Sequence, residues 1–174
     1  MAKPSRAALA AVWDQHVAAE FEVRDADVAV ETMTDDATLI HMPTGTGARG
    51  KEALRTFYAR HFIPAWPDDV SVESISRTIG TDMVVDELLI RLTHSRVMDF
   101  WLPGLAPTGL PIVSVTIAVV GFAGDRIRFE RIYWDQASLL AQLGVLDTRT
   151  APILGAEQAA FLTDPDAPLN QLLK

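Results

Sequence analysis

Residues Phe129 to Gly144 read FERIYWDQASLLAQLG, and this stretch decides the fold class of the chain. Its first part, with Ile127 just before it, is rich in aromatic and β-branched residues, which favour a half-buried strand. Asp135 then occupies an N-cap position, leucines follow at helical spacing, and Gly144 stands where a C-cap belongs. The stretch therefore predicts a long last strand that runs directly into a short capped helix.

The chain before this stretch divides into a helical part and a part made mostly of strands. Helices are predicted at 5–21, 24–33 and 51–62, and strands at 37–42, 70–78, 83–95 and 112–122. A tight hairpin turn is predicted at Gly124-Asp125. Helices followed by long antiparallel strands indicate an α+β fold, with the helices on one face of a curved sheet.

The stretch FERIYWDQASLLAQLG resembles the closing segment of SnoaL-like polyketide cyclases, a branch of the nuclear-transport-factor-2-like superfamily. The resemblance covers about residues 8–146. It implies a cystatin-like α+β roll, in which a cone-shaped, mixed or antiparallel sheet wraps around the N-terminal helices and opens into a pocket. We assign residues 1–148 to this domain, and residues 149–174 to an extension that packs on the body or on a dimer partner. Because the superfamily holds several kinds of enzyme and also non-catalytic proteins, the resemblance does not fix a reaction.

Composition excludes several classes of function. The net charge is −8, with 15 basic against 23 acidic residues, which argues against nucleic acids and anionic membranes as partners. The absence of cysteine excludes disulfides, thiol catalysis and Cys-ligated zinc, and it fits a cytoplasmic protein. No apolar run reaches membrane length, and no signal peptide is recognised at the N-terminus. The length of 174 residues predicts one domain with a full core.

A glycine pattern in the loop after the first strand invites a different interpretation. Gly45, Gly47 and Gly50 form G-x-G-x-x-G between a strand and a helix, as in dinucleotide-binding proteins. That unit needs a buried parallel strand and a return strand after its helix, whereas here Pro43 interrupts a short strand that carries His41. We therefore expect a flexible turn into a helix, and no cofactor.

The first helix carries polar residues on an apolar stripe. His16 and Glu20 share this stripe with Trp13 at helical spacing. Either they form a partly exposed helix edge, or the stripe lines a pocket. Further along the chain, Tyr58 and His61 lie on the predicted inward stripe of the third helix.

Two histidines and one aspartate are candidates for acid–base chemistry. His41 is on the inward face of the first strand, and Asp86 and His94 share one face of the strand at 83–95. The Cα atoms of Asp86 and His94 are roughly 26 Å apart in a straight strand, so only one of them can line the pocket. We favour Asp86 as the deeper group and base, with His41 or His94 as its partner. The structural alternatives are a solvated strand end for Asp86 and hydrogen-bonded core imidazoles for the two histidines.

Two further segments complete the candidate site. On the last strand either Glu130 or else Arg131 and Tyr133 face inward, since both faces are mixed. The loop at 96–111 is rich in Pro and Gly yet apolar, so that Trp101 and its neighbours should cover a partner or a cavity mouth. The predicted ligand-binding residues are Trp13, His16, Tyr58, Trp101, Glu130 and Tyr133, and the catalytic candidates are Asp86, His41 and His94.

These residues favour a cofactor-free enzyme of cyclase or isomerase type that acts on a small hydrophobic carbonyl compound. The resemblance implies one acidic residue acting as acid and base in an aldol closure, without metal or cofactor. No two histidines have helical ligand spacing, so no metal site is expected. One alternative is a binding protein that uses the same pocket without turnover. The other is epoxide hydrolysis, for which the resemblance to the superfamily implies an acid–arginine–acid set that Arg131 could form with Glu130 and Asp86. We expect a homodimer, because the strand at 112–122 is apolar on both faces.

Overall fold

The computed structural model describes residues 4–173, which form a curved, unclosed sheet and a set of helices. The α-helices are α1 (Arg6–Ala18), α2 (Ala26–Glu31), α3 (Lys51–Phe57), α4 (Gln136–Gln142) and α5 (Glu157–Thr163). The strands are β1 (Met33–His41), β2 (Thr46–Arg49), β3 (Ser71–Ile79), β4 (Met83–Thr93), β5 (Pro111–Ala123) and β6 (Arg126–Trp134). The predicted α+β class is confirmed.

The six strands form one mixed sheet in the order β2-β1-β6-β5-β4-β3. All neighbours pair antiparallel except β1 and β6, which run parallel. The last strand therefore lies in the middle of the sheet, beside the first. This position explains why the stretch that contains β6 decides the fold, because β6 joins the N-terminal hairpin to the long meander β3-β4-β5.

The junction between β6 and α4 has the predicted geometry. The side chain of Asp135 accepts a hydrogen bond from the backbone N–H of Ser138 at 3.1 Å and so caps α4. Gly144 follows the helix with φ +69°, a left-handed conformation that suits glycine. The Gly124-Asp125 turn also forms as predicted, since Ala123 pairs with Arg126 across it.

Two helices of the N-terminal half end in a turn of π-helix, a feature that the sequence does not predict. α1 continues into a π-turn at Ala19–Val23, and α3 continues into another at Tyr58–Phe62. A π-turn holds one more residue than an α-turn, and it is frequent at functional sites. The first π-turn ends at Arg24, whose φ of 56° closes the helix in a left-handed conformation.

A β-bulge in β6 determines which side chains of this strand face the helices. Gly121 pairs with Phe129 but Phe122 pairs with Ile127, so one extra residue, Arg128, is accommodated in β6. As a result Ile127 and Glu130 are both buried although they are three residues apart. Of the two possibilities for the inward face of this strand, the structure therefore has Glu130 facing inward, and not Arg131 and Tyr133.

The glycine-rich segment is a hairpin and not only a turn, which corrects one expectation. Residues Thr46–Arg49 form the edge strand β2, which pairs antiparallel with β1. Gly47 has φ +137°, and a Cβ there would lie 2.0 Å from the backbone oxygen of Leu39. Close packing against β1 therefore requires glycine at this position.

The segment 96–110, which we call the strap, crosses the helix-covered side of the sheet. Phe100, Trp101 and Leu102 are all buried. The carbonyl of Phe100 accepts hydrogen bonds from the hydroxyls of Thr44 at 2.9 Å and Thr46 at 2.8 Å. The predicted role of this loop as a cover is consistent with its place, because its aromatic side chains form part of a cavity wall.

The C-terminal segment contacts the body of the same chain. The hydroxyl of Ser138 donates to the carbonyl of Gly155 at 2.9 Å, and the amide of Gln158 donates to Asp135 at 2.6 Å. Its last turns expose Leu169 and Leu173. Within residues 4–173, no helix combines the length and apolar character needed to cross a membrane.

Candidate functional site

A cavity of about 50 Å³ lies between the helices, the concave face of the sheet and the strap. Its wall is formed mainly by aromatic side chains, which are Trp13, Phe21, Phe62, Trp66, Phe100, Trp101 and Trp134. Glu20, His41, Thr116 and Glu130 are the polar residues of the wall. The cavity is therefore apolar with a small number of polar groups, as is typical of sites for small molecules.

Glu20 and Glu130 belong to a buried cluster with His16 and Tyr58. The Nε2 atom of His16 lies 3.0 Å from Oε1 of Glu130 and 3.2 Å from Oε1 of Glu20. The hydroxyl of Tyr58 lies 3.1 Å from the same nitrogen. His16 and Tyr58 are completely inaccessible, and the two glutamates are at most 5% exposed. We call these four residues the acidic cluster; its polar atoms converge on Nε2 of His16.

The other ring nitrogen of His16 shows where one proton resides. Nδ1 lies 3.2 Å from the carbonyl oxygen of Ala29 and 2.7 Å from the hydroxyl of Thr32. Since a carbonyl only accepts, and the Thr32 hydroxyl donates to that same carbonyl at 2.7 Å, Nδ1 must carry a hydrogen. Nε2 is therefore the nitrogen that exchanges a proton with the carboxylates.

The electrostatics of the acidic cluster favour a charged imidazole. Burial by itself lowers the pKa of His16, but attraction to Glu130 and Glu20, with hydrogen bonds to both, raises this pKa well above its ordinary value. Burial also raises the pKa of Glu20, an effect that His16 only partly offsets. The pKa of Tyr58 is raised by burial and by both carboxylates, so its hydroxyl stays protonated.

Each of the two π-turns carries one member of the acidic cluster. Glu20 lies in the turn that follows α1, and Tyr58 begins the turn that follows α3. His16, one helical turn before Glu20, is still in the α-helical part of α1. The partly exposed helix edge is thus ruled out for His16 and Glu20, since both are buried in the interior.

His41 lies in the cavity wall in a different environment. Its ring packs against Phe57, Phe62, Phe100 and Trp134, with centroid distances of 5.3–5.8 Å. Nδ1 of His41 lies 3.1 Å from the hydroxyl of Thr46. Burial lowers the pKa of His41 to about 3, so the imidazole is neutral at physiological pH.

Asp86 is buried but is not part of the cavity wall. Its Oδ2 accepts from the guanidinium of Arg77 at 2.6 Å and from the indole of Trp13 at 2.8 Å. Its Oδ1 accepts from the hydroxyl of Ser74 at 2.5 Å. Asp86 is therefore neither a solvated strand end nor a free base next to the cavity; it holds Trp13 in place.

Other candidates also lie outside the cavity wall. His94 is buried at the end of β4, where Nδ1 faces Thr108, and burial lowers its pKa. The expectation that either Asp86 or His94 lines the cavity is therefore wrong. Tyr133 and Arg131 lie on the outer face of the sheet, because the bulge directs Glu130 inward, and His61 is exposed at the surface. Among the predicted ligand-binding residues, Trp13, Trp101 and Glu130 do line the cavity.

Sequence reasoning gave too little weight to two features of the site. Glu20 lies on the predicted apolar stripe but is not among the predicted site residues, although its i, i+4 spacing from His16 is a signal for the pair that the two residues form. The chain has four tryptophans, and Trp13, Trp66, Trp101 and Trp134 all line the cavity. Their separation in the sequence hides this convergence.

The fold and the sequence agree on a family. The SnoaL-like domain matches residues 7–130, and the chain therefore belongs to the SnoaL-like domain family. This family has the nuclear-transport-factor-2-like fold, and its structural neighbours include candidate polyketide cyclases. No curated protein sequence matches the chain significantly.

Solved structures with the same fold are distant in sequence. IdmH of Streptomyces antibioticus, a candidate polyketide cyclase, is 23% identical with a TM-score of 0.60, and the match covers 79% of this chain and 99% of that chain. AclR of Streptomyces galilaeus, a candidate hydroxylase, is 19% identical with a TM-score of 0.63 and coverages of 82% and 89%. A hypothetical protein of Catenulispora acidiphila with a ketosteroid isomerase-like fold, in complex with trimethylamine, is 20% identical with a TM-score of 0.59 and coverages of 78% and 93%.

Proposed function

We propose that the protein is a cofactor-free acid–base enzyme of cyclase or isomerase type that acts on a small carbonyl compound in the cavity. One observation carries this proposal: two carboxylates that line a largely apolar cavity both contact one buried imidazole behind its wall. Paired titratable groups whose environments differ are characteristic of acid–base sites. The family and the cyclase-like neighbours support the same class of reaction.

Glu130 is the base in this proposal and Glu20 is the acid. Both carboxylates contact His16 through Oε1, which leaves Oε2 of each for a ligand. Glu130 projects from a central strand and makes the shorter contact with the imidazole, so it is the better-held carboxylate. Burial raises the pKa of Glu20, which favours its protonated form and suits it to the role of acid.

The proposed reaction begins with proton transfer from the carbon next to a carbonyl to Oε2 of Glu130. Glu20 donates its proton to the carbonyl oxygen, and the product of this step is an enol. To close a ring, the enol carbon attacks a second carbonyl of the same molecule; the oxygen of that carbonyl takes the proton held by Glu130, and the enol hydroxyl returns its proton to Glu20. To isomerise an unsaturated ketone, the dienol takes the proton held by Glu130 at its far carbon and returns its hydroxyl proton to Glu20. His16 positions both carboxylates and does not touch the ligand, since it is outside the cavity wall.

Exchange of carbon-bound hydrogen tests this proposal without knowledge of the natural substrate. Small ketones such as butanone and cyclopentanone are incubated with the protein in D2O, and NMR follows the loss of the α-proton signals. We expect the protein to accelerate exchange, and Glu130→Gln to reduce that acceleration at least about 100-fold. Glu73→Gln, at an exposed glutamate paired with Arg91, is the matched control and should behave as the native protein. No acceleration by the native protein, or equal acceleration by Glu130→Gln, would contradict the assignment.

The second candidate function is ligand binding without turnover in the same cavity. The observation that favours it is the small volume of about 50 Å³, with the strap held over the cavity by two hydroxyls. Saturable binding without exchange of α-protons would support this alternative. Epoxide hydrolysis has less support, because Arg131 points outward and the set Asp14–Arg77–Asp86 contributes nothing to the cavity wall.

A homodimer remains part of the proposal. Val113, Val115, Ile117 and Val119 alternate along β5 on the face opposite the helices, and all four are only partly buried within one chain. A second copy would remove this apolar face from water. Light scattering at micromolar concentration should therefore give a mass near twice that of the 19.0 kDa chain, and a monomer mass would contradict the dimer.

A further inference from the structure

We propose that the cavity binds a compact organic cation, with the acidic cluster as its counter-charge and the aromatic wall as its cage. This inference rests on the proposed acid–base site and names the chemical class of its ligand: a small molecule that carries an alkylammonium group.

The first argument is the charge of the acidic cluster. Glu20 and Glu130 share a single imidazole, and no Lys or Arg side chain of residues 4–173 forms an ion pair with either carboxylate. When both carboxylates and His16 are ionised, the cluster has a net charge of −1. A buried net charge is costly, so the cluster holds an extra proton on Glu20 in the absence of a ligand, and a bound cation takes the place of that proton.

The second argument is the cavity wall, which is selective for the sign of charge. Seven aromatic rings line it, and neither Lys nor Arg contributes to it. The faces of aromatic rings attract cations, above all when water is excluded, and alkylammonium groups are the ligands for which such cages are best known. The same wall gives an anion no cationic side chain of Lys or Arg as a partner.

The third argument is size. A volume of about 50 Å³ has room for roughly three to five water-sized groups, and a trimethylammonium head has four heavy atoms. A metal ion is the competing occupant, because ligand atoms of His16, Glu20 and Glu130 lie within 4.8 Å of one another. The seven aromatic residues of the wall provide no ligand atoms for a metal ion, but they can pack against the methyl groups of an alkylammonium ion. We therefore favour the organic cation.

Intrinsic fluorescence provides a direct test, because all four tryptophans of the chain lie in the cavity wall. Tetramethylammonium chloride is titrated at constant ionic strength, against tert-butanol as a neutral molecule of similar shape. We expect a saturable change with tetramethylammonium and a half-saturation concentration at least tenfold higher for tert-butanol. Glu20→Gln should weaken tetramethylammonium binding at least tenfold, and Glu73→Gln should leave it unchanged.

The inference is overturned if tetramethylammonium gives no saturable response, or if tetramethylammonium and tert-butanol give equal responses. Unchanged binding of tetramethylammonium by Glu20→Gln would overturn it as well. A response to Zn²⁺ or Mn²⁺ without one to tetramethylammonium would also overturn it and would assign the cluster to a metal. Glu130→Gln serves as the second variant, and a thermal melt of each variant verifies that it folds. Because binding is measured without turnover, its failure leaves α-proton exchange on neutral ketones intact, and failure of exchange leaves cation binding intact.

Discussion

The two buried histidines near the cavity have opposite electrostatic environments. His16 contacts two carboxylates, and its pKa is raised well above the ordinary value. His41 contacts aromatic rings and one hydroxyl, and burial lowers its pKa to about 3. The comparison shows that burial alone does not decide the charge of an imidazole, because a nearby carboxylate can outweigh the loss of hydration.

The largest effect on stability is expected from a substitution that breaks the acidic cluster. His16→Leu leaves two buried carboxylates without their only ion-pair partner in residues 4–173, and we expect it to lower the free energy of unfolding by about 3–5 kcal/mol at pH 7. Chemical denaturation measures this loss. His61→Leu, at an exposed histidine, is the control and should change stability by less than about 0.5 kcal/mol. A loss for His16→Leu no larger than that of the control would show that the cluster contributes little to stability.

The aromatic environment of His41 should cause a measurable loss of stability at acidic pH. A histidine with a lowered folded pKa contributes stability that is fully present above its unfolded pKa, near 6.5, and is lost as the pH falls toward about 3. Between pH 7 and pH 4 this group alone accounts for a loss of about 3 kcal/mol. Denaturant titrations of the native protein and of His41→Gln should therefore show a shallower acid dependence in the variant. Parallel curves would mean that His41 is charged in the folded state.

His16 should produce a smaller effect of opposite sign. Its folded pKa is raised, so its contribution to stability is fully present below the unfolded pKa of about 6.5 and is lost as the pH rises through the folded value. Glu20, whose pKa is also raised, acts in the same direction. Melting curves between pH 6.5 and 9 should show a decline of at most about 1.4 kcal/mol per pH unit for His16. The decline should be smaller in the double variant His16→Gln/Glu20→Gln, which removes both titrating groups, and an unchanged decline there would assign the effect to another group.

Local sequence signals were sufficient for most of the fold. The N-cap at Asp135, the hairpin turn at Gly124 and the alternation along β4 all depend on residues that are close in the sequence. The orientation of β6 was not predictable in this way. Alternation by two places Glu130 and Arg128 on one face, whereas the bulge buries Glu130 together with Ile127.

The candidate site was less predictable, because its contacts join distant parts of the chain. The alternation along β4 predicts that Asp86 is an acid on an apolar face, and the structure buries Asp86 on that face. Its role as a free base could not be tested from the sequence, since Arg77 and Trp13 reach it from another strand and from α1. In the same way, Tyr58 and Glu130 approach each other only after folding, with the Tyr58 hydroxyl 3.5 Å from Oε1 of Glu130.

The bulge at Arg128 has a genetic consequence. Removal of that single codon would leave Ile127 and Glu130 two residues apart, so that regular alternation would still direct both side chains inward. Removal of the Arg131 codon, in the regular part of β6, would instead place Glu130 and Ile132 on opposite faces, although both of them now line the cavity. An in-frame deletion of the Arg128 codon should therefore be tolerated better than an in-frame deletion of the Arg131 codon, although both arginines are exposed.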